Sequence, residues 1–107
     1  MTSLAVMDTR ISMQVIETAE FANWLGSLRD VVAKRAIVKR LIRLAATDHF
    51  GDAHPIGDGV SEMRFHLGPG YRVYYAMRDG AVILCGGDKG SQQRDIERAK
   101  ELAAGLP

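Results

Sequence analysis

The sequence has almost nothing with which to brace itself covalently. Its 107 residues include a single cysteine, Cys85, which excludes an internal disulfide and any multi-cysteine zinc site. The three histidines, His49, His54 and His66, do not fall at ligand spacing on one element, so no metal and no cofactor is expected. No apolar run approaches the roughly 20 residues that cross a bilayer, and no charged start, apolar centre and small-residue cleavage site marks a signal peptide. A cytoplasmic protein without a membrane partner is expected. Repeats and low-complexity stretches are also missing.

Charge of one sign is nearly absent in sum, at +1, which by itself says nothing about nucleic acid. Its distribution says more. Between Asp30 and Asp48 stand Lys34, Arg35, Lys39, Arg40 and Arg43, with no acidic residue among them. As a pattern alone this is a solvated helix face.

What is present suffices for one domain: 47% hydrophobic and 25% charged residues are ordinary for a globular chain. A chain this short buries a modest fraction of its surface, and a permanent partner would help it. Residues 1–12 read as an N-terminal extension that includes the start of a first strand over residues 11–16. Residues 13–107 read as the domain.

Thr18 is a good helix N-cap, and Phe21, Trp24, Leu25 and Leu28 follow as one apolar stripe. Trp24 is read as core. Asp30 caps a second helix whose inward stripe is Ala33, Ile37, Leu41 and Leu44. The two helices are expected to lie antiparallel, joined tightly near Gly26 to Asp30. From Phe50 onward, glycines and prolines punctuate short segments of alternating or β-branched residues, which is a strand-and-turn texture. Strands are expected at about residues 60–67, 71–78 and 81–86. Asp79-Gly80 suits a turn that needs positive φ, and Gly68-Pro69-Gly70 makes the other hairpin. Ser91 is expected to cap a last helix with Ile96, Ala99, Leu102 and Ala103 inward. The sum is an α+β chain.

Alternation assigns the strand faces. Met63, Phe65 and Leu67 point into the core, and Glu62, Arg64 and His66 point away. Tyr71, Val73, Tyr75 and Met77 form the next apolar set, opposite Arg72, Tyr74 and Arg78. A hairpin symmetric about Pro69 sets Arg72 across from His66 and Tyr74 across from Arg64, with Cβ atoms ~4.5–5.5 Å apart. One face then gathers Glu62, Arg64, His66, Arg72 and Tyr74, and the end of the following strand brings Asp88 and Lys89 near. A one-residue slip would scatter the set.

Arginines and a lysine can neutralise a scissile phosphate and the charge that grows on it in the transition state. A His or Glu can take or give the proton of a ribose hydroxyl, and Tyr74 can stack on a base. The plain alternative is an exposed sheet face of mixed charge. Gly86-Gly87-Asp88-Lys89-Gly90 lacks phosphate-loop spacing and reads as backbone freedom at a strand end. Cys85 reads as a small apolar filler, and His49 and His54 as residues in or beside a polar loop.

The stretches Gly51-Asp52, Gly57 to Arg64, Gly68 to Tyr75 and Gly86 to Lys89, with Ser91-Gln92 and Asp95-Ile96, resemble the "addiction module killer", HigB-like branch of the RelE/ParE toxin superfamily. Phe21, Trp24-Leu25 and Leu28-Arg29-Asp30 match the same pattern, so the resemblance covers about residues 13–103.

It implies a RelE-like fold, with two N-terminal helices on a twisted antiparallel sheet and a C-terminal helix. It also implies a cognate antitoxin and cleavage of mRNA on the ribosome without a metal. By position Arg72 matches the arginine on the scissile phosphate, Arg64 a basic residue on the preceding strand, and Lys89 one at the end of the last strand. In that context the face with Lys34, Lys39, Arg40 and Arg43 would meet ribosomal RNA or an acidic antitoxin segment.

Two features of the family are missing. Gln92, Gln93, Arg94 and Asp95 stand where it has a tyrosine, and there are no lysines around Val60 and Glu62. The acid and base are therefore left among His66, Glu62 and Asp88. The superfamily also holds gyrase inhibitors, for which Arg94, Arg98 and Lys100 of the last helix would matter more, and relics that act only with their antitoxin.

Overall fold

Hydrophobic alternation has to be buried on both sides of a central strand, and here it is. The computed structural model describes residues 11–107, so the expected extension falls almost wholly outside the described residues. The elements are β1 (Val15–Glu17), α1 (Ala19–Ser27), α2 (Val31–Thr47), β2 (Ala53–Gly57), β3 (Val60–Arg64), β4 (Arg72–Met77), β5 (Ala81–Gly87), a 3-10 turn (Lys89–Ser91) and α3 (Gln92–Ala104). The five strands lie in the order β1-β5-β4-β3-β2. β1 runs parallel to β5, and the other pairings are antiparallel. The chain is α+β, with two N-terminal helices, a mostly antiparallel sheet and a C-terminal helix. Among the described residues no helix is long and apolar enough to cross a membrane.

Both expected caps form. The Thr18 hydroxyl accepts the Phe21 amide at 3.0 Å and donates to the Leu84 carbonyl at 2.6 Å, so the start of α1 is tied to β5. The Asp30 carboxylate accepts the Ala33 amide at 3.0 Å. Ala33, Ile37, Leu41 and Leu44 are buried as the spacing requires. They pack with Phe21 against Met63, Phe65, Val73, Tyr75 and Ile83 on one sheet face. On the other face Val60, Tyr74, Ala76, Val82 and Leu84 pack under Ala99 and Ala103 of α3.

Several boundaries differ from the expectation, each for a local reason. The first strand starts at Val15 rather than residue 11, because the Ser12 and Met13 amides donate instead to the Ala45 carbonyl at the end of α2. β2 is a strand that the sequence hides: Pro55 removes one ladder donor, which only an edge strand tolerates, and β2 is the edge. β3 stops at Arg64, so His66 and Leu67 belong to the hairpin loop. Met77, expected inward, is exposed at the far end of β4. The register shifts between Tyr74 and Tyr75, which leaves Leu84 unpaired and turns both Leu84 and Cys85 into the core under α3.

Gly86 and Gly87 do not serve backbone freedom, since neither has positive φ. A Cβ on Gly86 would run into the Trp24 ring, and one on Gly87 into Asp95 and Ser91. Their role is close approach of α1 and of the start of α3.

Arg40 departs from the sequence reading most sharply. It is no free cation for RNA but a clamp from α2 to the far strands, donating to the carbonyls of Phe50 (3.2 Å), Arg64 (3.1 Å) and Asp52 (3.1 Å). Its guanidinium also lies 4.5 Å from the centre of the Phe65 ring. Arg40→Ala would remove three hydrogen bonds to carbonyls and lose this stacking, so urea unfolding should show a loss of about 2–4 kcal/mol. Lysine should recover only part, having no fork with which to span three acceptors. A midpoint unchanged by either variant would contradict the clamp.

Candidate active site: an arginine cleft at the end of the sheet

Residues 62, 64, 72 and 74 share the face that α3 covers, but α3 reaches only part of it. The register sets Arg64 opposite Arg72 and Glu62 opposite Tyr74. The hairpin is thus centred on Gly68 instead of Pro69, and the opposed pairs move by two residues from those expected. An even shift keeps every side chain on its face, so the cluster survives with its members repaired differently. Gly68 and Gly70, both at positive φ, make this loop possible.

Two like charges directly across a ladder repel, and Glu62 is what reconciles them. Its side chain is 1% exposed, accepts the Arg64 Nε at 3.0 Å through Oε1 and the Gln92 Nε2 at 2.8 Å through Oε2. The Arg72 Nε lies 3.6 Å from Oε2, within ion-pair reach though not a hydrogen bond. A buried carboxylate thereby holds two guanidiniums and the first residue of α3. Glu62 was expected as a proton carrier; its burial and full set of partners make it a holder instead.

Beyond the two arginines the sheet end opens into a cleft of about 550 Å³, lined also by His66, Lys89 and the Gly68-Pro69-Gly70 loop. Arg72 is 11% exposed and Arg64 39%, so the clamp is partly desolvated, where charge acts more strongly than in water. Lys89 is exposed, and its amide donates to the Pro69 carbonyl at 3.4 Å, which ties the 3-10 turn to the loop.

Asp88, the other acid expected here, is engaged in capping. Its carboxylate accepts the Gly90 amide at 2.8 Å and the Ser91 amide at 3.3 Å. The Ser91 hydroxyl answers the Asp88 amide at 3.3 Å, and it also donates to Asp95, so it caps the 3-10 turn rather than α3 as expected.

Tyr74 cannot stack on a base: it is fully buried under α3, and its hydroxyl has no hydrogen-bond partner among the described residues. Burial, then the neighbouring Glu62 and Asp95 carboxylates, push its ionisation up. Cys85 is buried as a filler, and burial raises its thiol to about 12.

His66 stands at the rim, 75% exposed, with Nε2 2.5 Å from Asp52 Oδ2. The second oxygen, Oδ1, lies 2.7 Å from His54 Nε2. Asp52 and His54 were not among the expected site residues. The signal was their alternate spacing at the start of a strand, hidden once residues 51–57 read as loop. Among the described residues no group of three or more His, Cys, Asp or Glu side chains is arranged to hold a metal ion.

The remaining basic residues lie elsewhere. Lys34, Lys39 and Arg43 sit on α2, which covers the opposite sheet face, and there they flank exposed Val38 and Ile42. In α3, Arg98 pairs with Glu20 at 2.7 Å and with Glu101 at 3.0 Å, and Lys100 with Asp58 at 3.4 Å. Arg94 is exposed.

An uncharacterized protein of Haemophilus influenzae is 41% identical to this chain over 98 residues, which span 90% of the chain and 98% of that protein. No family model matches the chain, and no solved structure matches it.

Proposed function

The chain and this Haemophilus influenzae protein belong to one family, and for this chain we propose the role of a type II toxin, a HigB-like member of the RelE/ParE superfamily that cleaves mRNA on the ribosome. The observation that carries the reading is the pair Arg64 and Arg72, aligned on one buried carboxylate at the floor of an open cleft that Lys89 and His66 also line. Forked guanidiniums suit the phosphate oxygens, and a partly desolvated site favours charge that develops in the transition state.

The side chains of the cleft supply the base and the positive charge. His66 takes the proton of a ribose 2′-hydroxyl. The 2′-oxygen bonds to the adjacent phosphorus as the bond from phosphorus to the 5′-oxygen breaks. The products are a 2′,3′-cyclic phosphate and a 5′-hydroxyl, whose proton comes from a water in the open cleft that in turn takes back the proton held by His66. Arg64, Arg72 and Lys89 bear the added negative charge.

A cytoplasmic site of action follows from the substrate, and an antitoxin would silence the toxin by covering the cleft. The Lys34, Lys39 and Arg43 face offers a second contact to ribosomal RNA or to an acidic antitoxin segment. Gyrase inhibition through α3 ranks below this reading, because Arg98 and Lys100 are already spent on ion pairs and only Arg94 is left free among the three.

Primer extension on a reporter mRNA in a reconstituted translation system tests the reading. Cuts within codons are expected only when ribosomes are present. Intact message together with blocked supercoiling by gyrase would replace the nuclease with the gyrase inhibitor.

A further inference from the structure

His66 and His54 approach one carboxylate from two sides. His66 comes from the β3–β4 loop and lines the cleft, whereas His54 lies on β2. Asp52, just ahead of β2, receives both, with Nε2 to oxygen distances of 2.5 Å from His66 and 2.7 Å from His54. A surface acid between two exposed imidazoles would ordinarily be loose, because holding side chains in solvent costs entropy. This one stands on a fixed backbone. The Asp52 carbonyl accepts the Arg64 amide at 2.9 Å and the Arg40 Nη2 at 3.1 Å.

We infer that Asp52 is a positioning residue of the cleft, holding His66 through its Nε2–H so that Nδ1 is the ring atom that exchanges a proton with the RNA, and that His54 steadies the carboxylate from the other side. The inference rests on the RNA-cleaving reading for its chemistry, though not for its geometry. A neutral imidazole has one N–H and one lone pair. A hydrogen bond to a carboxylate places the hydrogen on Nε2, which leaves the lone pair on Nδ1. When Nδ1 takes the 2′-hydroxyl proton, the imidazolium forms beside a negative charge that stabilises it.

The charged groups around Asp52 are His66 from the loop, His54 from β2 and Arg40 from α2; Arg64 of β3 meets it through the backbone amide. The hydrogen bond from His66, then that from His54, holds the Asp52 carboxyl below its usual range. It therefore stays anionic across the interval in which histidines titrate.

Long-range proton–nitrogen NMR of the imidazoles in the full chain, with Asp52→Ala and Asp52→Asn, tests the positioning directly. Neutral His66 should carry its hydrogen on Nε2. Asp52→Ala should mix the tautomers of His66, and Asp52→Asn, which keeps an acceptor oxygen, should restore the Nε2–H form. In ribosome-dependent cleavage of mRNA, Asp52→Ala should lower kcat by about 10–100-fold, as losses of orienting partners do. KM should hold, because Asp52 orients the base and does not touch the RNA.

A hydrogen on Nδ1 in the wild-type chain, or a His66 tautomer indifferent to Asp52→Ala, overturns the inference. So does full kcat in Asp52→Ala alongside an inactive His66→Ala. If the wild-type chain itself cuts no message, the nuclease reading has failed, and the NMR result still decides whether Asp52 orients His66.

Discussion

Arg72→Ala is expected to lower the rate of mRNA cleavage by about 10²–10³-fold, the usual consequence of removing one preorganised donor from a developing oxyanion. Growth arrest on expression should disappear with it. Arg72 is the deeper of the two guanidiniums, 11% exposed against 39% for Arg64, so its charge is the less screened by water. The variant should still fold. Glu62 keeps the Arg64 and Gln92 hydrogen bonds, and the Arg72 Nε, at 3.6 Å, had none to lose. A stability cost of about 1–3 kcal/mol is expected from the lost counter-charge of a buried acid. Arg72→Lys keeps the charge without the fork and should recover only part of the rate. Single-turnover cleavage with circular dichroism on the same samples separates the two effects. Growth arrest that survives Arg72→Ala but fails on Arg94→Ala would sink the phosphate-clamp reading.

Glu62→Ala should be the most damaging single change to stability. It leaves Arg72 and Arg64 opposite each other with no counter-charge, and breaking a buried ion pair from one side costs roughly 3–5 kcal/mol. For a domain of this size each kcal/mol moves the melting temperature by about 4–8 °C, so the loss should exceed about 12 °C. Glu62→Gln keeps the shape and an acceptor, and should fall between. Thermal unfolding followed by far-UV dichroism decides this. If Glu62→Ala melted with the wild-type chain, the carboxylate would be ornamental, and the alignment of the two arginines would need another cause.

Much of this arrangement could be read from residue order, and the parts that could not have a common physical origin. The helices were legible because their information is local. Thr18 and Asp30 cap as their side chains dictate, and the Ala33, Ile37, Leu41 and Leu44 stripe is buried as its spacing requires. The shared face of Glu62, Arg64, Arg72 and Tyr74 was legible because a period of two survives a hairpin recentred from Pro69 to Gly68. Depth was not legible. Alternation shows which residues share a face, not which of them the last helix covers, and so Tyr74 and Glu62 were read as exposed groups when α3 lies over the first and arginines enclose the second. Arg40 and Asp52 were missed as structural and positioning residues because their partners are brought near only by the fold: Arg40 reaches the Arg64 carbonyl, and Asp52 meets His66.

The parallel pairing of β1 with β5 divides the molecule in time as well as in space. β2, β3, β4 and β5 follow one another as a meander of neighbouring strands, whereas the bond from the Thr18 hydroxyl to the Leu84 carbonyl spans 66 residues. Closing so long a loop is slow relative to zipping adjacent hairpins, so the meander is placed to form early and β1 with α1 to dock late. The reverse holds on opening, because the last piece attached is the first to leave. Arg64, Arg72, Glu62, His66 and Asp52 all lie in or beside the meander, so the strand pairings that bring the cleft together do not wait for β1 or α1.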